Sequence, residues 1–204
     1  MAQFDWARYQ ATEDHCWREV WLEEAHAGRI WLPHDIRDTW AETLCMILYA
    51  LRDTSEIRLF VDCEGGDAAS FDPCRELYWR WENRGEPDPT SSRSPYARKL
   101  SGLATISMVT GSAGSVGLSY SVCATNRLAL PNAKFMVHGE TLRTGARHES
   151  GAYLEDHYVA DWLARFTKRS YEDWLDLVDD GAHHEFGVAE ALDWGVIDEV
   201  LEAV

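Results

Sequence analysis

The chain has 204 residues, of which 46% are hydrophobic and 26% charged, a balance typical of a soluble globular protein and not of a disordered chain. Nineteen Lys and Arg against 35 Asp and Glu give a formal net charge of −16, which disfavours binding to nucleic acid or to an anionic membrane surface. No run approaches the roughly 18 apolar residues of a membrane span and the first residues do not resemble a secretory signal, so we expect a cytoplasmic protein.

The predicted elements alternate between helices and short apolar strands. In chain order they are a partly helical N-terminal extension over residues 1–28, a strand at Arg29–Leu32, an amphipathic helix from Ile36 to Leu51, a strand at Ile57–Val61, a helix at Phe71–Asn83, a strand at Leu103–Val109, a helix at Val116–Cys123, strands at Arg127–Leu130 and Lys134–Val137, a long helix from Tyr153, a short helix at Val188–Trp194 and a closing strand at Val196–Leu201. This alternation predicts an α/β fold of βαβ-type units with a mostly parallel sheet.

One stretch interrupts this alternation. Residues 84–98 are rich in Pro and Ser, which predicts a surface insertion. The chain shows no internal repeat, and its length suits one domain over residues 1–204.

The five cysteines predict neither a disulfide framework nor a zinc site, because their number is odd and none has CxxC spacing. The sequence also lacks a phosphate-binding loop, so any ATP chemistry would belong to a partner. We therefore expect no metal and no cofactor.

Three predicted strand ends carry groups that could act together. Gly65-Gly66 follows the strand that ends at Val61, Ser115 follows the next apolar strand, and His138 ends a later one. Each group alone has a simpler interpretation, as a turn, a helix N-cap or a structural histidine. If the strands are neighbours in one sheet, the three groups supply a nucleophile, a base and amide donors for an oxyanion, which are the parts of acyl transfer.

The nucleophile-elbow motif G-x-S-x-G is absent, because Ala113 occupies the first glycine position, and this speaks against an α/β-hydrolase. The residues instead resemble the proteolytic subunit of Clp protease, the ClpP family. Gly111–Gly117 resembles that family's G-x-A-x-S-x-G turn, and Asn126–His138 resembles its R-x-x-L-P-N-(S/A)-x-x-M-(I/V)-H block. Asp62–Gly66 is similar to its N-S-P-G-G segment, and Glu190–Val200 to its E-A-x-x-Y-G-L-I-D-x-V ending.

This resemblance implies a crotonase-like fold of stacked βαβ units with a helical handle, which would lie over residues 139–151 and the helix that follows them. It implies a serine peptidase that cuts polypeptides inside heptameric rings, usually paired, and an AAA+ unfoldase as a possible partner. By position, Ser115 would be the nucleophile and His138 the base, and the amides of Gly66 and Val116 would form the oxyanion hole.

Three departures from the family pattern bear on activity. The interval between Gly66 and Ser115 is longer because of the insertion at 84–98, and Glu64 replaces the proline that precedes the double glycine. His184 stands where the family has the aspartate of its catalytic triad.

The third triad member therefore has several candidates. His184 could orient His138 as a neutral acceptor, Asp180 (or Asp179) could reach in from a longer loop, or a Ser-His dyad could work slowly. Loss of the carboxylate from a triad lowers the rate by roughly four powers of ten.

The sequence thus predicts a ClpP-like serine endopeptidase that forms a homo-oligomer and acts on unfolded or short polypeptides. The alternative is a weak or inactive ring subunit that serves as a structural or regulatory partner of a related ClpP-like subunit. A crotonase-fold enzyme acting on thioesters is a third interpretation, although such enzymes do not need a Ser-His pair.

Overall fold

The computed structural model describes residues 23–36, 56–66, 104–139, 152–180 and 182–202. Their strands are β1 (Arg29–Trp31), β2 (Asp35–Ile36), β3 (Glu56–Cys63), β4 (Gly65–Gly66), β5 (Ala104–Gly114), β6 (Asn126–Ala129), β7 (Lys134–Val137), β8 (His184–Gly187) and β9 (Glu199–Val200). Their helices are α1 (Val116–Val122), α2 (Ala152–Phe166), α3 (Tyr171–Asp179) and α4 (Val188–Asp193).

Seven of these strands form one sheet. Strands β1, β3, β5, β6 and β9 follow one another in that order, and each neighbouring pair is parallel. Strand β7 lies parallel to β5 and antiparallel to β8, whereas β2 and β4 form a separate parallel pair. The predicted α/β class with a mostly parallel sheet is confirmed.

Strand β5 is long enough to have two neighbours on the same side. Residues 106–109 pair with β6, and residues 112–114 pair with β7, which starts after the Pro131-Asn132 turn. The carboxyl ends of β5 and β7 therefore lie side by side, and the residues that follow them meet at one edge of the sheet.

The core lies between the sheet and helices α1 and α2. Alternate residues of β3 are buried, as expected for a strand that packs through one face. All seven residues of α1 are buried, which makes it a central helix. Trp162 of α2 packs against it and donates its indole N–H to the carbonyl of Ser119 at 3.2 Å.

Four elements were not predicted: α3, β8 and the two-residue strands β2 and β4. The start of α3 has a clear signal, because Ser170 and Asp173 form a capping box, and Trp174 and Val178 are buried one turn apart. Strand β8 has only four residues, of which Phe186 alone is buried, so its apolar pattern is too short to detect.

Other predicted boundaries moved. The strand predicted to end at Val109 continues to Gly114, and Ile36 lies in β2 and not at the start of a helix. The closing strand is reduced to β9. The helix predicted at Phe71–Asn83, the insertion at 84–98 and most of the helix from Ile36 to Leu51 lie outside the described residues.

Within the ranges given above, no helix combines the length and the apolar character that crossing a bilayer requires. The same ranges contain no group of three or more His, Cys, Asp or Glu side chains placed to hold a metal ion.

Candidate active site

Ser115 occupies the turn between β5 and α1 in an unusual backbone conformation. Its φ is 52° and its ψ is −122°, and it is the one non-glycine residue with positive φ in the described ranges. Two interactions hold it there. Its N–H donates to the carbonyl of Met136 at 2.8 Å, and its own carbonyl accepts from the amide of Leu118 at 3.0 Å. Such strain, of order 1–3 kcal/mol, persists where the surrounding structure enforces it, and it is often found at active sites.

Glycines around Ser115 allow the segment after β3 to pack directly on this turn. A Cβ on Gly65 would lie 2.6 Å from the Cβ of Ser115, and one on Gly114 would lie 2.7 Å from the carbonyl oxygen of Glu64. A Cβ on Gly117 would lie 2.9 Å from the sulfur of Cys63. The close approach of residues 63–65 therefore requires glycine at positions 114 and 117.

The amides predicted for the oxyanion hole lie on either side of this contact. Val116 is the first residue of α1, so its N–H has no acceptor within the helix. Gly66 adjoins Gly65 and has φ 141°, and a Cβ there would lie 2.0 Å from the carbonyl oxygen of Ile36. The amide of Gly65 is directed to the sulfur of Cys63 at 3.4 Å. Participation of Gly66 and Val116 in an oxyanion hole stays a prediction.

Cys63 has a structural role below the turn. Its side chain is fully buried, and burial raises the pKa of its thiol to about 12. A thiol with so high a pKa is not a nucleophile at neutral pH. Cys63 therefore supports the loop that carries Gly65 and does not compete with Ser115.

His138 lies at the same edge of the sheet as Ser115. Gly114 is paired with Met136, so Ser115 follows one strand and His138 follows its neighbour, and such strands are about 4.8 Å apart. The Nδ1 atom of His138 contacts the carbonyl oxygen of Gly139. A carbonyl can only accept, so Nδ1 carries the proton in this contact and Nε2 of the neutral ring has the basic lone pair.

The two candidates for the third triad member lie together in the structure. Nε2 of His184 is 2.8 Å from Oδ2 of Asp180, the residue that caps the end of α3. The other carboxylate oxygen of Asp180 accepts from the amide of Ala182 at 2.7 Å. The ring contact of His138 is with His183, at 4.8 Å between ring centroids. A role for His184 or Asp180 toward His138 stays a prediction.

Glu64, which replaces the proline of the resembled motif, is held beside β5. Its Oε1 accepts from the hydroxyl of Ser112 at 3.0 Å. The carboxylate of Asp62 lies 3.3 Å from the same hydroxyl and accepts from the amide of Ser112 at 3.0 Å. A hydroxyl donates one proton, so the two carboxylates share it, and Ser112 anchors the Glu64 charge three residues before Ser115.

Sequence reasoning missed two groups next to the candidate base. The carbonyl of Gly139 is a backbone atom that no residue type reveals, and the sequence does not distinguish a functional His183 from a histidine in a solvated loop. The pairing of β8 with β7 would have identified His183, because this pairing brings His183 opposite His138. That pairing cannot be read from four residues with one buried side chain.

Comparison with known proteins identifies the type of fold. No family model and no curated protein matches the sequence. Among solved structures, ClpP1 from Listeria monocytogenes aligns with a TM-score of 0.67 and 20% identity, over 89% of this chain and 95% of its own. A point mutant of the same protein aligns with a TM-score of 0.67 and 19% identity, over 90% and 96%. The chain therefore has a ClpP-like fold of the crotonase type, as the resemblance in its sequence predicted.

Proposed function

We propose that this ClpP-like protein is a serine endopeptidase that cuts unfolded or short polypeptides, with Ser115 as nucleophile and His138 as base. The observation that carries the proposal is the backbone of Ser115, which is strained at a strand-to-helix turn and hydrogen-bonded to Met136 of β7, the strand that precedes His138. A serine that only caps a helix does not require positive φ, since N-cap residues usually lie in the β region.

The reaction follows from the protonation of the imidazole. Nε2 of His138 takes the hydroxyl proton as Oγ of Ser115 attacks the peptide carbonyl, and the amides of Gly66 and Val116 donate to the resulting oxyanion. The imidazolium then gives its proton to the leaving amine, which breaks the C–N bond and leaves an acyl-enzyme. Water, deprotonated by the same nitrogen, hydrolyses the ester and releases Ser115.

His184 and Asp180 enter this scheme as one unit, because they are bonded to each other at 2.8 Å. In this proposal the Asp180 carboxylate acts on the base through His184, to which it is hydrogen-bonded. Oligomeric rings, a cytoplasmic location and an AAA+ unfoldase partner are further parts of the proposal, and they rest on the ClpP-like fold.

Labelling with a fluorophosphonate tests the proposal. Intact mass spectrometry of the full-length assembled protein should show one adduct, and peptide mapping should place it on Ser115. The Ser115→Ala variant should lose the adduct, and His138→Ala should slow labelling by at least about a thousandfold, because the base is gone.

Ser170→Ala is the matched control. Ser170 is an exposed serine that caps the start of α3, and the proposal gives it no part in the site. This variant should be labelled at the wild-type rate. Well-folded wild-type protein that is neither labelled nor able to cut unfolded casein would contradict the proposal. If such protein still co-assembled with an active ClpP-like subunit, the structural or regulatory alternative would be supported.

A further inference from the structure

The antiparallel pairing of β7 with β8 decides which residue lies opposite the candidate base. Phe135 pairs with Phe186, and Val137 pairs with His184. One step further along the same register, His138 falls opposite His183. Residues directly opposite in an antiparallel pair project from the same face of the sheet, so their side chains can pack.

The side chains of this last pair are in contact. The rings of His138 and His183 have centroids 4.8 Å apart and planes inclined by 33°. The preceding pair of rings in the same ladder, Phe135 and Phe186, has centroids 5.4 Å apart and planes inclined by 20°. The two imidazoles therefore pack at least as closely as the phenyl rings inside the ladder.

Two contacts restrict the His138 imidazole in different ways. The Gly139 carbonyl accepts from Nδ1, which selects the tautomer with a basic Nε2. The ring of His183 lies against the imidazole, with centroids 4.8 Å apart, and opposes rotation of the imidazole about its side-chain bonds.

From this geometry we propose that His183 is a positioning residue, whose ring holds the His138 imidazole in the orientation needed to accept the Ser115 proton. The inference rests on the proposed function. In this inference the His183 ring acts by packing and not by proton transfer. An aromatic side chain without a titrating nitrogen should therefore serve in its place. It differs from the sequence-based hypothesis, in which His184 orients the base.

The test separates the maximal rate of fluorophosphonate labelling, kinact, from the reagent's apparent affinity, KI. His183→Ala should lower kinact by about ten- to a hundredfold, because misplacement of a reacting group by about 1 Å has effects of this size. KI should stay unchanged, because the inference assigns His183 an effect on the His138 imidazole and not on binding of the reagent. His183→Phe should restore most of kinact, because it restores the ring.

Two other variants complete the design. His26→Ala removes an exposed histidine that precedes β1, and it should label like wild type. His184→Ala represents the competing hypothesis. Rates are compared only between variants whose assembly state and melting temperature match those of wild type. Loss of folded protein then cannot imitate a change in kinact.

The outcomes distinguish this inference from the proposed function. If wild type is labelled and His183→Ala is labelled at the same rate, the role of His183 is overturned and the proposed peptidase is not. The same conclusion follows if only His184→Ala lowers kinact. A loss in His183→Ala that His183→Phe does not restore would also overturn positioning by the ring. Absence of labelling in wild type would overturn the proposed function and this inference with it.

Discussion

At the residue scale, the candidate site depends on glycines, which have no side chain that would keep neighbouring segments apart. Gly114 lies under the carbonyl of Glu64 and beside Met136, and Gly65 lies against Ser115. These distances are shorter than van der Waals contact for a Cβ, and the atom nearest to a Cβ on Gly114 belongs to the backbone. The segment after β3 can therefore approach the Ser115 turn only where glycine occurs, and this approach sets the position of the Gly66 amide.

Gly114→Ala tests this close approach. Its Cβ would meet a backbone oxygen at 2.7 Å and the Met136 methyl at 3.1 Å, so we expect a loss of about 1–3 kcal/mol in the free energy of unfolding, as for other overpacked sites. Urea unfolding followed by circular dichroism measures it, and fluorophosphonate labelling of Ser115 should slow in parallel.

Gly187→Ala is the control, because nothing lies within 4 Å of a Cβ at that exposed position. It should cost less, about 0.5–1 kcal/mol, because its one penalty is that alanine is a poorer N-cap than glycine at the start of α4. Equal stability of the two variants would show that the 63–65 segment does not pack on β5 in the way described.

At the element scale, Arg127 of β6 connects the ends of several elements. Its guanidinium donates to both carboxylate oxygens of Asp198, at 3.0 and 2.6 Å, and to the carbonyls of Phe166 and Gly195. These partners lie at the end of α2, after α4 and before β9. The carboxyl-terminal part of the chain is thereby attached to the strand that leads to β7 and His138.

Asp198→Asn should lower the stability of the protein in a pH-dependent way. Burial raises the pKa of Asp198, but the hydrogen bonds and charge of Arg127 outweigh it, so the folded-state pKa lies below its ordinary value of 3.8. The carboxylate therefore contributes stability above that ordinary value, and the contribution is lost as the pH falls through the folded-state pKa.

We expect Asp198→Asn to cost about 1 kcal/mol at pH 7, because the pair is partly exposed to solvent. The difference from wild type should shrink toward zero as the pH is lowered through the acid range. Urea unfolding at both ends of this range measures it, and Asp193→Asn, a change at an exposed position at the end of α4, is the control. A difference that does not depend on pH would contradict the ion-pair explanation.

At the scale of the whole molecule, the net charge of −16 bears on assembly. A ring of identical copies brings these charges together, and their repulsion is screened by salt. We therefore expect sedimentation to give seven or fourteen times the 23.2 kDa of one chain, with a larger assembled fraction at about 0.3 M than at about 0.05 M salt. A monomer at all salt and protein concentrations would contradict the proposed chamber.

The sequence predicted the parts of the site that depend on local patterns. Ser115 and His138 each follow a short apolar strand, and strands β5 and β7 are adjacent and parallel as expected. It did not predict β8, whose four residues bury one side chain. His184 was selected from its spacing to Phe186, whereas the residue that packs on His138 depends on how β8 aligns with β7.

Taken alone, the order of helix and strand patterns determined the mostly parallel α/β sheet, and the spacing of small and polar residues determined the candidate nucleophile and base. Both are local properties, since side-chain periodicity follows from the geometry of each element. Only the tertiary structure decided the strained backbone of Ser115, the pairing of Asp180 with His184, and the contact between His138 and His183. Most of these depend on register and packing between strands and loops distant in sequence, which no local pattern specifies.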